Sequence, residues 1–292
     1  MSGPAMLGHL LLERLSRQVL ERIPEPDLVM HDPEQVAAFV DCGRDEGLLA
    51  FTHLFHALQI TPLLRPGDRV LDLACGPANQ LLPVALLNPH THFVGIDASA
   101  TMLDVARATL ARGAVGNVEL ATADMTRLDG LDDASMDGVM CTMSLHHLPD
   151  TRALGRTLQE VRRVLKPGGA LYLVDFGRFK RARTQRFFAY DRRECQSARF
   201  TQDYLQSLQA AFSTTELRDA TALLGPEVAC YQTPLAPFMV VFKSAARRTL
   251  DTETRHRMQQ AHARLTPAQQ QDFRVFARWF RAGGYALPCT LA

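Results

Sequence analysis

Long apolar runs are missing from this sequence of 292 residues. The longest, such as Leu7–Leu12 with a histidine inside, fall well short of the ~20 residues that cross a bilayer, so no membrane span is expected. The first residues lack a positive stretch followed by a long apolar one, and no signal peptide is expected. Charge of one sign is lacking too: 32 Lys and Arg stand against 31 Asp and Glu, a formal net charge of +1. So weak a net field is not expected to draw nucleic acid or an anionic membrane. The six cysteines (Cys42, Cys75, Cys141, Cys195, Cys230 and Cys289) are scattered, with neither a CxxC nor a histidine spacing suited to zinc. No metal site is expected, and reduced thiols in a cytoplasmic protein are the default reading. What the chain does have is a 47% hydrophobic content, ample for one large domain or one domain with a substantial attachment.

Leu7, Leu11, Leu15, Val19 and Ile23 recur four apart and predict an amphipathic helix, ended by Pro24 and Pro26. A second helical stretch, roughly 33–64, runs to the turn Arg65-Pro66-Gly67-Asp68. Short apolar runs then alternate with helical segments. Strands are expected at 69–74, 93–97, 118–121, 138–142 and 170–176. Met102, Val105, Ala106, Thr109 and Leu110 share one helical face, as do Leu154, Leu158, Val161 and Leu165 before Pro167-Gly168-Gly169. Such alternation predicts a doubly wound α/β fold, a parallel sheet with helices on both faces. A basic, irregular stretch follows at 178–199, then a helix near 202–211. Strands near 228–232 and 238–243 are separated by Thr233-Pro234-Leu235-Ala236-Pro237, too short for a crossover helix, so this pair is expected to be antiparallel. The tail from Thr249 reads as helical, with Pro267 starting a second piece and Gly283-Gly284 ending it. The expected organisation is a helical cap at 1–64, a core at 65–246 with a lid insertion around 178–215, and a helical extension at 247–292.

Val70-Leu71-Asp72-Leu73-Ala74-Cys75-Gly76-Pro77-Ala78 is a strand running into a tight glycine turn before a helix. In open α/β sheets, ligands bind beyond the carboxyl ends of the strands, so this turn is the first place to look. A dinucleotide site would need glycines where Gly76, Ala78 and Leu81 stand, and only the first fits. Asp72 would also repel a pyrophosphate, whereas it suits a cofactor carrying an ammonium and a sulfonium. Asp97 ends the second strand, 21 residues beyond Gly76, where a carboxylate can accept both ribose hydroxyls. Asp124 follows the third strand, where a carboxylate can meet an adenine amino group. One such Asp is ordinarily a helix cap or a solvated loop charge; three after three successive strands on one sheet edge are not.

These residues resemble the class I methyltransferases that use S-adenosylmethionine, especially the small-molecule branch typified by ubiquinone/menaquinone methyltransferases and sugar O-methyltransferases. The resemblance covers about 65–177. It rests on Val70–Gly76, Gly95-Ile96-Asp97, Ala123-Asp124, Ser144-Leu145-His146-His147-Leu148-Pro149-Asp150 and Arg163-Val164-Leu165-Lys166-Pro167-Gly168-Gly169. It implies a Rossmann-like seven-stranded sheet with an antiparallel last strand. It places the methionine moiety at Asp72, Ala74 and Gly76, with Ala78 and Gln80 in the same loop. The ribose falls to Asp97, with Ala98 and Met102 beside it, and the adenine to Asp124 and Met125, with Thr142 nearby. One departure is Ala78, where the usual loop has its second glycine, preceded here by Pro77.

Methyl transfer from a sulfonium is an in-line displacement, so an enzyme mainly positions the acceptor and, for a hydroxyl, removes its proton. His146 and His147 follow the fourth strand and Asp175 ends the fifth, on the cofactor's edge. Some sugar O-methyltransferases place a His-His pair and an Asp similarly. By that resemblance one histidine is a general base that Asp175 orients, or Asp175 holds the acceptor; the plain alternative is that the pair shapes the pocket. The basic run from Arg178 to Arg193 is either an anion clamp or, as Asp191 and Glu194 favour, a solvated face with local ion pairs. Cys42, Cys75, Cys195 and Cys230 raise an arsenite methyltransferase, although free cysteine is more often a small buried hydrophobe. Phe51, His53, Phe55 and His56 read as core in preference to pocket lining. The tail either completes the lid or supports a homodimer. The sequence therefore predicts methylation of a small-molecule acceptor, with O- ahead of N- or C-methylation, in secondary metabolism or cofactor biosynthesis. The rival is a cofactor-binding sensor or partner subunit that transfers nothing.

Overall fold

The computed structural model describes residues 3–27, 30, 32–44 and 47–291, without the side chain of residue 33. Three N-terminal helices, α1 (Pro4–Leu15), α2 (Pro33–Gly43) and α3 (Ala50–Ile60), precede β1 (Arg69–Leu73), α4 (Leu81–Leu87), β2 (His92–Asp97), α5 (Ala100–Arg112) and β3 (Val118–Thr122). There follow β4 (Met136–Thr142), α6 (Thr151–Val164), β5 (Leu165–Asp175), α7 (Ala182–Tyr190), α8 (Ala198–Ala210), α9 (Thr214–Thr221), β6 (Ala229–Gln232), β7 (Val240–Lys243), α10 (Thr252–Ala263) and α11 (Pro267–Ala282).

The strands form one seven-stranded sheet in the order β3-β2-β1-β4-β5-β7-β6. β1 to β5 pair in parallel, while β7 is antiparallel to both β5 and β6. Both faces of β1, β2, β4 and the second half of β5 are largely buried, which is why they read as continuous apolar runs rather than alternating ones, whereas β3 at the sheet edge is half-exposed. Val70, Phe93 and Tyr172 enter one core with α3, α4, α5 and α11. Leu71, Val94, Val139 and Leu171 enter the other with α6 and α9. Because β1, β2, β4 and β5 run the same way, their carboxyl ends open on one edge. No helix joins β3 to β4; residues 123–135 leave that edge and return to the start of β4 as turns.

Three expectations need correction. The first helix stops at Leu15 rather than Ile23, and residues 16–25 run on as a strap outside any helix. The strap carries Arg22 to the carbonyls of His146 (2.8 Å), Pro149 (2.6 Å) and Ala210 (2.6 Å), with its guanidinium 3.9 Å from the centre of the Phe212 ring. These bonds satisfy carbonyls at the ends of two other elements, a gain that a continued helix would forgo. The stretch at 33–64 is two helices, because Gly47 folds back on the end of α2. A Cβ at Gly47 would lie 2.3 Å from the Cys42 carbonyl, a space that admits only glycine. The stretch at 178–199 is also not irregular throughout, since α7 occupies its middle.

The C-terminal helices are built into the molecule. Phe55 of α3, fully buried, stacks on Phe280 (5.0 Å between centroids) and meets Phe276 edge to face (5.0 Å). Truncating Phe55 to alanine is expected to lower unfolding stability by about 3–5 kcal/mol, read from urea midpoints. A loss under ~1 kcal/mol would mean that α11 packs elsewhere.

Candidate functional site

A cavity of about 520 Å³ opens on the edge where the parallel strands end. Its floor begins with the turn after β1. There Ala74, Gly76 and Ala78 adopt left-handed backbone angles (φ +53°, +53° and +63°), alternating with ordinary residues. The Cys75 amide donates to the Ile96 carbonyl (2.8 Å), and the Gly76 amide donates to Asp97 Oδ2 (2.9 Å), tying the turn to β2. Open space surrounds the position a Cβ would take on Gly76. The turn thus presents bare backbone to the cavity, a surface that a ligand can approach closely. Ala78, at the position of the missing second glycine, is fully buried and does not face the cavity.

Asp97 also accepts the Ser99 amide through Oδ1 (2.8 Å), and Ser99 caps α5 through the Met102 amide (3.3 Å). Asp124 accepts the Thr126 amide (2.8 Å) in the loop after β3. Each oxygen involved keeps a second lone pair. Ala74, Gly76, Gln80, Asp97, Ala98, Met102, Asp124, Met125 and Thr142 line the cavity. Asp72 does not: it lies beneath the turn, 1% exposed, and neither of its carboxylate oxygens has a hydrogen-bond partner. Burial first, then the neighbouring Asp97, push its pKa well above the ordinary carboxylate range. The sequence places Asp72 among the direct contacts; in the fold its side chain is buried under the loop and is not part of the cavity lining. An unpartnered acid beneath a bare glycine turn fits a ligand bearing positive charge, as a sulfonium and an ammonium do.

The opposite wall carries four titratable groups in a row. His146 Nδ1 lies 2.7 Å from Asp175 Oδ1, while the His146 amide donates to Oδ2 (2.9 Å). His147 Nδ1 lies 2.6 Å from Glu25 Oε2, and the other oxygen of Glu25 accepts from Ser207 (2.8 Å) and stands 3.9 Å from His146 Nε2. The two imidazoles are 4.3 Å apart between centroids. His146 and Asp175 are nearly inaccessible, whereas His147 is half-buried; both histidines line the cavity, and Asp175 stands behind His146. Burial would lower the pKa of His146, but Asp175, and then Glu25, outweigh it and raise the value. For Glu25 burial works upward, yet His147 and Ser207 bring it down to about 2. Among the described residues, Glu25, His146 and His147 are also the one group of side chains close enough together to hold a metal ion.

Glu25 and Arg22 are the functional candidates that the sequence concealed. They lie more than 120 residues from His146, Arg22 in a segment read as helix and Glu25 between the prolines that end it; no local pattern marked them. Phe51, His53 and His56 line the cavity, and Phe55 is core. Two members of the basic run pair with acids outside it, Arg178 with Glu216 (2.8 Å) and Arg192 with Asp272, while Arg183 and Arg186 are exposed. The cysteines do not assemble, since Cys42 lies on α2, Cys195 beyond α7 and Cys230 on β6.

Comparison with known proteins agrees with this geometry. Residues 70–169 match a family model described as a methyltransferase domain. A demethylmenaquinone methyltransferase of Listeria monocytogenes is 35% identical over 113 residues, which cover 38% of this chain and 46% of the relative. One of Symbiobacterium thermophilum is 35% identical over 130 residues, covering 43% of this chain and 50% of the relative. The chain therefore spans about half the length of the curated relatives it matches. Among solved structures, an S-adenosylmethionine-dependent methyltransferase from Aquifex aeolicus shares the fold, with a TM-score of 0.52 and 18% identity over 74% of this chain and 100% of that one. Residues 70–169 are thus similar to a methyltransferase domain, and the fold around them is shared with a methyltransferase that depends on S-adenosylmethionine.

The state of Asp72 has a measurable sign. In the folded protein it holds a proton that the unfolded chain releases near 3.8, so stability falls as pH rises from there through the raised folded value. Asp72→Asn removes that loss. In the absence of cofactor it is expected to raise Tm at pH 7 by roughly 3 °C, with the gain vanishing near pH 4. An equal gain at both pH values would show that the proton is not involved.

Proposed function

We propose that this chain transfers a methyl group from S-adenosylmethionine to a small-molecule acceptor, at oxygen. The observation that carries the reading is the Asp175–His146 pair, closed at 2.7 Å on the wall of the cavity that also holds the turn after β1. S-adenosylmethionine supplies the methyl group when bound. We assign its methionine end to the backbone of Ala74 and Gly76 with Gln80, its ribose to Asp97 with Ala98 and Met102, and its adenine to Asp124, Met125 and Thr142. Asp72, ionised by the arriving positive charge, supplies a counter-field from beneath the turn.

His146 is the proposed general base. With Asp175 engaging Nδ1, the proton on that nitrogen is fixed and Nε2 keeps its lone pair toward the cavity side, where Glu25 stands. A hydroxyl brought against Nε2 loses its proton there, and Asp175 stabilises the imidazolium that forms. His147, held by Glu25, positions the acceptor beside it. On this reading residues 65–246 form the cofactor-binding core, and the helices before and after it close the cavity against water. The apolar, uncharged character of much of the lining, including Phe176, Phe200 and Phe238, suits an acceptor without strong charge. The relatives' name supports an apolar acceptor of the quinol kind, and secondary metabolism or cofactor biosynthesis is the setting.

Turnover of labelled cofactor with a pooled metabolite extract tests the reading: an acceptor-dependent product is expected, and its absence from folded, cofactor-bound protein would favour a sensor. His146→Ala is expected to lower kcat about 100-fold while leaving cofactor affinity within about twofold. The base acts when neutral, so the rate should rise with pH through a value above the ordinary histidine pKa near 6.5. Asp175→Asn removes the main cause of the upward shift and should move that limb toward acid while lowering kcat. A limb unmoved in Asp175→Asn overturns the assignment of His146.

A further inference from the structure

The leucine stripe of α1 has no role in the site. Of nine exposed large apolar side chains among the described residues, six lie between residues 7 and 23: Leu7, Leu11, Leu12, Leu15, Val19 and Ile23. Leu15 and Val19 are 77% and 87% exposed. The spacing that predicts an amphipathic helix is thus present, but its apolar side faces outward. α1 is held by its other side. His9 stacks on Phe187 of α7 at 4.3 Å, and the buried Glu13 accepts the Lys180 amide (2.8 Å). Two of the remaining three exposed apolar groups adjoin this unit. Tyr190 ends α7, and Leu235 borders a surface groove with Arg14 and Lys180.

The charge around the stripe is one-sided. Arg14, Arg17, Arg183 and Arg186 are exposed on α1, the strap and α7, while Glu21 is the one exposed acid in residues 7–23 and α7 has none. Apolar side chains flanked by arginines match a bilayer interface, where the chains enter the acyl boundary and the guanidinium groups meet anionic headgroups. A second copy fits worse, because a two-fold contact through this patch would set arginine against arginine. We propose that α1 and the strap, with the exposed arginines of α7, form a peripheral docking surface for an anionic lipid bilayer. The near-zero net charge that argues against membrane attraction is an average that hides this local surplus. The same strap ends in Glu25 and Asp27 on the cavity wall, so docking would bring the cavity close to lipid and to acceptors dissolved in it. The inference stands on the surface alone and does not require the chemistry proposed above.

Sedimentation of the full chain with phosphatidylglycerol–phosphatidylcholine vesicles tests it, with phosphatidylcholine vesicles alone as the reference. Binding is expected to be at least roughly tenfold stronger on the anionic vesicles and to weaken with salt. Leu11→Ser with Leu15→Ser and Val19→Ser should reduce it more than about tenfold. Arg183→Gln with Arg186→Gln should reduce it about fivefold per charge. Circular dichroism should show the fold intact in both. If the serine variant melts, Val19→Ser combined with the two arginine changes, all outside the helix stripe, carries the same test. Absence of binding to anionic vesicles, or equal binding by folded variants, overturns the proposal. So does a solution dimer that the serine changes dissolve, since the stripe would then be an interface between copies.

Discussion

The site depends on a carboxylate placed where proteins ordinarily avoid one. Asp72 sits in the middle of a parallel sheet, under a turn that offers its oxygens no donor. Burial, and then the neighbouring Asp97, raise the pKa of an acid so placed, and a cation nearby would favour its ionised form. The turn above it explains why no donor reaches it: with Ala74, Gly76 and Ala78 all left-handed, the amides of Cys75 and Gly76 are directed to β2 instead. Two of those three positions carry a methyl group, against an intrinsic preference of roughly 1–2 kcal/mol. Backbone strain and an unpaired acid therefore coincide at one turn, a combination expected where ligand binding compensates both.

Much of this was legible because it is local. A strand, a glycine turn and a terminal acid are close in sequence, and parallel pairing then brings Asp97, Asp124, His146 and Asp175 to the edge that the turn already marks. Strand positions followed from apolar runs buried on both faces, and the antiparallel last pair from a connection too short for a helix. The face a side chain takes at a strand's end was not legible in the same way. Asp72 reads as a contact because it lies next to the turn, yet the two-residue period of β1 sends it underneath.

The helical period failed at the N-terminus for a different reason. Residues 7 to 23 satisfy it throughout, but periodicity reports only that one side is apolar, not that the side is buried. From Ser16 onward the competing interactions are long-range: Arg22 to the loop after β4 and to the end of α8, Glu25 to both histidines. A helix through residue 23 would satisfy backbone bonds equally well and leave those carbonyls and His147 without partners. Tertiary satisfaction of buried polar groups outweighs a modest local preference.

That strap changes how the histidine pair should be understood. Seen from the sequence, His146 and His147 are adjacent and equivalent. In the fold each has its own carboxylate, one from the end of β5 and one from the strap, and their burial differs. Asp175 belongs to the sheet and cannot leave without unmaking β5, so His146 has a fixed orientation. Glu25 rides on an extended segment whose hold is Arg22, Ser207 and the histidine itself. One pair is therefore rigid and the other depends on where the strap lies. Proton chemistry needs the first kind of partner, since a base must keep its tautomer and geometry through each turnover. Admission of an acceptor needs the second, because a wall that includes a strap can be displaced without disturbing the sheet. On the proposed reading, this division assigns the reaction to His146 and the entrance to His147.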